Sequence, residues 1–98
     1  MAVRVMPVMY ACRGCERDRM AREAVAELDR RGLAEASVAG NDAAKARSRY
    51  PVFVVEGCAK ACGEQWLRSE GVRPVRSFVL DPDADAGNEL ERIAAELS

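Results

Sequence analysis

The chain has 98 residues, of which 49% are hydrophobic and 32% are charged, a balance typical of one small globular domain. Its 15 Lys and Arg residues against 16 Asp and Glu residues give a formal net charge of −1, so no general electrostatic attraction favours nucleic acid or an anionic membrane as a partner. A chain this short buries only about 60–65% of its surface on folding, so a metal site or a partner could supply stability that the core lacks.

The first predicted strand, Val3 to Met9, consists mostly of Val and Met. An apolar run without strict alternation is typical of a strand buried on both faces of a parallel sheet. The same segment includes Arg4 and Pro7 and is too short for a signal peptide or a membrane span. We therefore expect a cytoplasmic protein that has no membrane partner.

The first predicted helix spans Glu16 to Arg31, where apolar residues recur at helical spacing. Gly32 is placed to end it in a left-handed conformation. The segment from Ala34 to Ser48 is ambiguous. It is compatible with a short strand around residues 37 and 38, followed by a brief helix that Asn41 would cap.

The second half of the chain contains the strongest strand signal, Val52 to Val55, which follows Pro51. A helix is predicted from Ala59 to Ser69, and Gly71 would end it. Val75 to Leu80 then predicts a third strand.

The last predicted element is an amphipathic helix with Asp85 or Asn88 as its cap. Its apolar residues are Leu90, Ile93, Ala94 and Leu97. Three carboxylates precede it, at Asp81, Asp83 and Asp85, but they lack the central Gly and the closing Glu of a calcium-binding loop. We interpret them as a turn and a helix cap.

The alternation of strands and helices predicts a single α/β domain over residues 1–98. We expect a small three-stranded, mainly parallel sheet with flanking helices and right-handed crossovers. Cysteines would lie at the carboxyl ends of strands 1 and 2, the edge at which open α/β sheets place their sites. Because adjacent strands are only about 4.8 Å apart, two such loops can share one ion.

The most informative feature of the sequence is its cysteines, which form two close pairs in a chain without histidine: Cys12, Cys15, Cys58 and Cys62. In the cytoplasm such pairs are more often metal ligands or redox groups than structural disulfides. The first pair, with the Cys-x-x-Cys spacing, can turn both sulfurs toward one point. The second pair, at i and i+4, would share one helix face. The four residues therefore predict one tetrahedral zinc site, with zinc as cofactor.

Three segments carry a resemblance to a known family: residues 10–15, residues 27–33 and residues 54–62. They resemble the DGC family of zinc-binding proteins, named for an Asp-Gly-Cys motif that a further cysteine follows. The likeness covers Val5 to Leu80 and implies zinc at the motif cysteines of a small α/β domain. The sequence departs from the family pattern at Glu56, where the family name calls for Asp, and at Arg13, where a small residue such as Ser is expected.

The leading hypothesis for function is a small zinc-binding protein in which the metal has a structural, metal-handling or sensing role. Four cysteines leave a zinc ion no open position at which it could activate water. The hypothesis therefore does not require the metal to be catalytic. An iron–sulfur cluster on the same thiolates is one alternative. Another is a thioredoxin-like thiol-disulfide oxidoreductase, in which a Cys-x-x-Cys pair also follows the first strand. That fold would need a hairpin partner after the Pro51 strand, where this sequence predicts a helix.

Overall fold

The computed structural model describes residues 6–13, 18–38, 43–48, 51–57, 60–81 and 83–97. Strands and helices alternate along these residues: β1 (Val8–Ala11), α1 (Asp18–Arg30), β2 (Glu35–Val38), α2 (Ala44–Ser48), β3 (Val52–Glu56), α3 (Cys62–Ser69), β4 (Arg76–Val79) and α4 (Ala86–Leu97). The predicted α/β class is confirmed. Of the helices in these ranges, none is long and apolar enough to cross a membrane.

The sheet has four strands in the order β2-β1-β3-β4, so the prediction of three strands is wrong. All three strand pairs in this order are parallel. The additional strand is β2, which pairs with β1 at one edge of the sheet. Its sequence, Glu-Ala-Ser-Val, is only four residues long and contains a single β-branched residue, Val38, so its strand signal is weak.

The central strand β1 begins later than predicted and extends further, from Val8 to Ala11. The first three residues of the predicted strand, 3–5, lie outside the described residues. Two backbone hydrogen bonds join the start of β1 to its neighbours. The Val8 N–H donates to the Pro51 carbonyl at 3.0 Å, and the Glu35 N–H donates to the Pro7 carbonyl at 2.8 Å. Every residue of β1 is buried, as a central parallel strand requires.

Helices cover both faces of the sheet, and each face has its own apolar core. Residues of α1 and α4 pack on one face, against Ala11 and Val55. Residues of α2 and α3 pack on the other face, against Tyr10 and Val54. Since successive residues of a strand point to opposite faces, the parity of a residue in β1 or β3 determines which helices it meets.

The end of α1 confirms the predicted role of Gly32. This glycine has a φ of 75°, and its N–H donates to the Asp29 carbonyl at 2.9 Å. The Leu33 N–H donates to the Leu28 carbonyl at 3.0 Å. These two bonds form a Schellman motif, which satisfies carbonyl groups that the end of a helix leaves without a helical partner.

The start of α3 differs from the prediction. The helix begins at Cys62 rather than at Ala59, because Ala61 has a left-handed backbone (φ 55°, ψ 42°) that interrupts the helical conformation. Cys62 is therefore the first residue of α3 and does not lie within a helix that starts at Ala59. Cys58 lies outside the described residues. The helix ends at Ser69, as predicted, and Gly71 follows with a φ of 81°.

The acidic segment before α4 forms a turn and a cap, as predicted from the sequence. The Asp81 carboxylate accepts a hydrogen bond from the Asp83 N–H at 2.9 Å. The Asp85 carboxylate accepts one from the Gly87 N–H at 3.4 Å, in the first turn of α4. Asp85 is thus the capping residue, whereas Asn88 lies within the helix.

Candidate metal centre

The carboxyl ends of β1 and β3 meet in the middle of the sheet. From β1 the chain crosses over to β2 on one side, and from β3 it crosses to β4 on the other side. The connections therefore diverge from this pair of strands, the position at which open parallel sheets usually bind their ligands. Cys12 follows β1 directly, and Glu56 is the last residue of β3.

Cys12 is completely buried and is held against the end of β3. Its N–H donates to the Val55 carbonyl at 3.0 Å. Its Sγ atom accepts a hydrogen bond from the Gly57 N–H, also at 3.0 Å. A backbone dipole that points at sulfur stabilises negative charge on it, which is the state in which a cysteine binds metal.

Glu56 is also completely buried, and strand alternation places its side chain on the sheet face that Val54 shares with α3. Its Oε1 atom accepts a hydrogen bond from the Gly63 N–H at 3.0 Å. Its Oε2 atom accepts one from the Glu64 N–H at 2.8 Å. These N–H groups belong to the first turn of α3, where no helical carbonyl is available to them.

The carboxylate of Glu56 thus serves as the N-terminal cap of α3. The residue in the cap position, Ala61, has no polar side chain that could do so. A negative charge at this end also interacts favourably with the helix dipole. The buried charge of Glu56 is therefore compensated by the start of a helix that follows it in the chain.

Gly63 allows α3 to lie this close to the sheet. A Cβ atom at this position would be 2.9 Å from Cγ2 of Val54 and 3.0 Å from Oε1 of Glu56. It would also be 3.3 Å from Cα of Cys12. Since carbon atoms in contact normally stay about 3.5–4.0 Å apart, a side chain here would push the first turn of α3 away from both strands.

Three donor groups converge at this point: the Sγ atoms of Cys12 and Cys62 and a carboxylate oxygen of Glu56 all lie within 4.8 Å of one another. Cys62 is half-buried and is the first residue of α3. Two sulfurs that bind one zinc ion tetrahedrally, each at about 2.3 Å, are about 3.8 Å apart. Small side-chain movements would bring the two sulfurs to that separation, so the donor set fits a thiolate-binding metal ion.

Of the four cysteines predicted as ligands, the structure brings Cys12 and Cys62 together. Cys15 and Cys58 lie outside the described residues, so the complete four-cysteine set stays a prediction. Sequence reasoning did not place Glu56 in the cluster and did not single out Gly63. The signals were a carboxylate at the end of an apolar strand and a glycine directly after a cysteine at a helix start.

Trp66, one turn after Cys62 on α3, packs against the sheet. Its ring centroid lies 5.8 Å from that of Tyr10, with the ring planes inclined by 45°. Tyr10 is fully buried on β1, on the face that α3 covers. The aromatic pair therefore fastens the helix that carries Cys62 to the strand that leads to Cys12.

Glu89 on α4 is a second buried carboxylate among the described residues. It accepts a hydrogen bond from the Asp81 N–H at 2.8 Å, and bonds from the Arg92 guanidinium at 2.9 and 3.1 Å. The hydrogen bonds from Arg92, followed by the one from Asp81, hold the pKa of Glu89 below its usual value. This carboxylate joins α4 to the end of β4 and is not part of the group formed by Cys12, Glu56 and Cys62.

The family model of the DGC domain matches residues 8–92, from the start of β1 into α4. The chain belongs to the DGC domain family. The resemblance noted in the sequence is thereby confirmed, and the match continues past Leu80 into α4. It includes every strand of the sheet and all four cysteine positions of this DGC domain. Among curated proteins and solved structures, none matches it.

Proposed function

We propose that this DGC domain binds one zinc ion through the four thiolates predicted as ligands: Cys12, Cys15, Cys58 and Cys62. The observation that carries the proposal is the convergence of the Cys12 and Cys62 sulfurs with a buried carboxylate, all within 4.8 Å. The two sulfurs belong to residues 50 positions apart in the chain. Packing alone does not require two thiols to meet at the reversal point of the strand order.

The position of the remaining cysteines in the sequence supports a single shared site. Cys15 lies three residues after Cys12, and Cys58 follows Gly57, whose N–H bonds to the Cys12 sulfur. Each pair of cysteines therefore has one member, Cys12 or Cys62, whose sulfur already lies at the proposed site. Such a site closes the coordination sphere of zinc, which suits a structural, metal-handling or sensing role.

The cytoplasmic location expected from the sequence is part of the proposal, because thiols stay reduced there and remain able to bind metal. An iron–sulfur cluster would use the same four ligands and is separated from zinc by the experiment below. The thioredoxin-like alternative receives no support from the fold. β3 leads through α3 to a parallel neighbour, β4, whereas that alternative needs a hairpin partner.

The proposal is tested by replacing each cysteine separately with serine and measuring zinc, iron and sulfide in protein purified without oxygen. We expect about one zinc per chain in the wild type and a loss of zinc in each of the Cys12→Ser, Cys15→Ser, Cys58→Ser and Cys62→Ser variants. Glu89→Gln is the matched control. It disturbs a buried group outside the cluster and should keep the metal.

Two results would contradict the proposal, the first its single shared site and the second its cofactor. Loss of zinc from the Cys12 variant with full retention by the Cys58 variant would show that the two pairs act separately. Iron with equimolar sulfide in place of zinc would show that the cofactor is an iron–sulfur cluster.

A further inference from the structure

We infer that Glu56 is a positioning residue of the metal centre: it holds the first turn of α3 so that Cys62 meets Cys12, and it stays outside the coordination sphere. The inference rests on the proposed function, because it assigns the roles of groups around the same ion. It predicts an all-thiolate site beside a carboxylate that binds only backbone N–H groups.

The first reason is that both oxygens of the carboxylate already have good partners. Oε1 binds the Gly63 N–H at 3.0 Å and Oε2 binds the Glu64 N–H at 2.8 Å. Among the described residues, no buried side-chain oxygen or nitrogen lacks a hydrogen-bond partner. The Glu56 carboxylate therefore needs no metal ion to compensate its burial.

The second reason is the cost of moving the carboxylate toward a metal. If Glu56 turned away from α3, it would leave two N–H groups of the first turn without their acceptor. Ala61, in the cap position, has no polar side chain that could accept these hydrogen bonds instead. Gly63 also lies so close that a Cβ atom there would be 3.0 Å from Oε1, which shows how tightly the carboxylate fits against this turn.

The third reason is that the two described thiols are positioned by different groups. Cys12 is held by the Val55 carbonyl and the Gly57 N–H, neither of which involves the Glu56 side chain. Cys62 directly precedes Gly63, to whose N–H the carboxylate is bonded. Glu56 therefore acts on the metal through Cys62, by fixing where α3 begins.

This assignment bears on metal selectivity. A site of thiolates alone favours zinc and other thiolate-binding ions, whereas a carboxylate ligand would raise the relative affinity for harder cations. Groups outside the coordination sphere that orient the ligands commonly alter metal affinity by about 10–100-fold when they are mutated. We therefore expect Glu56 to influence how tightly the metal binds without changing which atoms bind it.

The test is an anaerobic titration with Co²⁺, whose visible and near-ultraviolet absorption reports the number of bound thiolates and the symmetry of the site. Glu56→Gln keeps the size of the side chain, but its amide nitrogen cannot accept a hydrogen bond, so one bond to α3 is lost. We expect this variant to need about tenfold more free Co²⁺ for half-saturation. At saturation its spectrum should coincide with that of the wild type.

Two further variants complete the test. Glu56→Asp retains the charge with a shorter reach, so we expect affinity between those of the wild type and Glu56→Gln, with the same spectrum. It also replaces Glu56→Gln if that variant does not fold. Glu89→Gln removes the other buried carboxylate and should leave both Co²⁺ affinity and the spectrum unchanged, since Glu89 caps no element of the cluster.

The results separate the possibilities. A change in the charge-transfer intensity or ligand-field bands of saturated Glu56→Gln would overturn the inference, because it would make Glu56 a ligand. Unchanged affinity would overturn it as well, and so would an equal loss in Glu89→Gln, which would point to a general effect of stability. If the wild type binds no Co²⁺, the proposed function itself fails.

Discussion

The Sγ atom of Cys12 accepts a hydrogen bond of 3.0 Å from the backbone N–H of Gly57, a residue 45 positions later in the chain. This contact joins the loop after β1 to the loop after β3, at the place where the crossovers of the sheet diverge. A cysteine sulfur is thereby fixed to the backbone directly beside another cysteine, Cys58. The fold itself brings one member of each cysteine pair, Cys12 and Cys62, toward one point.

Gly63→Ala should weaken both the fold and the metal centre. The new Cβ atom would come within 2.9 Å of Val54 and 3.0 Å of Glu56, so α3 would have to move outward. We expect the free energy of unfolding, measured in urea without metal, to fall by about 1–3 kcal/mol. Zinc affinity should fall too, because Cys62 moves with the helix.

Gly87→Ala is the matched control for this substitution. Gly87 also lies near the start of a helix, but a Cβ atom there would be 3.6 Å from its nearest neighbour, a carboxylate oxygen of Asp85. Because alanine favours helix, the free energy of unfolding should stay constant or rise by up to about 1 kcal/mol. Equal losses in the two variants would contradict the close packing inferred at Gly63.

The start of α3 explains why this part of the site escaped prediction. A left-handed residue before a helix is usually marked by glycine or asparagine, but here it is Ala61. The sequence therefore predicts a continuous helix from Ala59. By contrast, the end of α1 was predictable, because Gly32 marks its left-handed residue and all partners of the motif are local.

Ala61→Gly should stabilise the protein, because glycine adopts a positive φ without the steric penalty that alanine has. The gain is reduced by the larger entropy of glycine in the unfolded chain, so we expect up to about 1 kcal/mol in the free energy of unfolding. Gly71→Ala is the reciprocal variant. Its φ is 81° with no atom near its missing Cβ, so it should lose about 1 kcal/mol through conformation alone.

The same measurement by urea denaturation checks both variants. If Ala61→Gly is less stable than the wild type while Gly71→Ala behaves as expected, the result would contradict the left-handed conformation at Ala61. The start of α3 would then have to be revised.

The role of Glu56 was only partly visible in the sequence. Its position at the end of an apolar strand showed a carboxylate near the cysteines, but not which groups it would bind. That depends on the strand order, which places α3 over β3, and on strand parity, which directs the side chain of Glu56 to the same face as Val54. Long-range pairing of this kind is not encoded in any local pattern. The edge strand β2 was left ambiguous in the sequence for a related reason, because only its pairing with β1 makes it a strand.

Glu89 should make the stability of the protein depend on acid pH. Its pKa is lowered in the folded state, chiefly by hydrogen bonds from Arg92, so the ionised form stabilises the fold. This contribution is complete above the ordinary pKa of 4.5 and is lost as the pH falls through the lower folded value. Urea unfolding of the wild type and Glu89→Gln between pH 3 and pH 7 measures it.

We expect the difference in stability between these two proteins to be constant above about pH 5.5 and to decrease below about pH 4.5. A difference that stays constant down to pH 3 would show that the charge of Glu89 contributes nothing, and that only the packing of its side chain matters.

Zinc should stabilise the folded protein, because the proposed four-thiolate site would be formed only in that state. With free zinc at about 100 times its dissociation constant, binding adds about 2.7 kcal/mol to the free energy of unfolding. We expect a matching rise in the melting temperature that a chelator reverses. Mg²⁺ at the same concentration should have no effect, since it prefers oxygen ligands. Equal stabilisation by both ions would argue for a carboxylate-dominated site.

The central claim is that one closed tetracysteine zinc site joins the loops after β1 and β3. The most direct measurement is the zinc content of protein purified anaerobically with reductant, together with a count of reactive thiols before and after a chelator is added. The account predicts about one zinc per chain and four thiols that become reactive only once the metal is removed. Protein without metal, in which one cysteine pair oxidises readily, would contradict it and favour thiol redox chemistry.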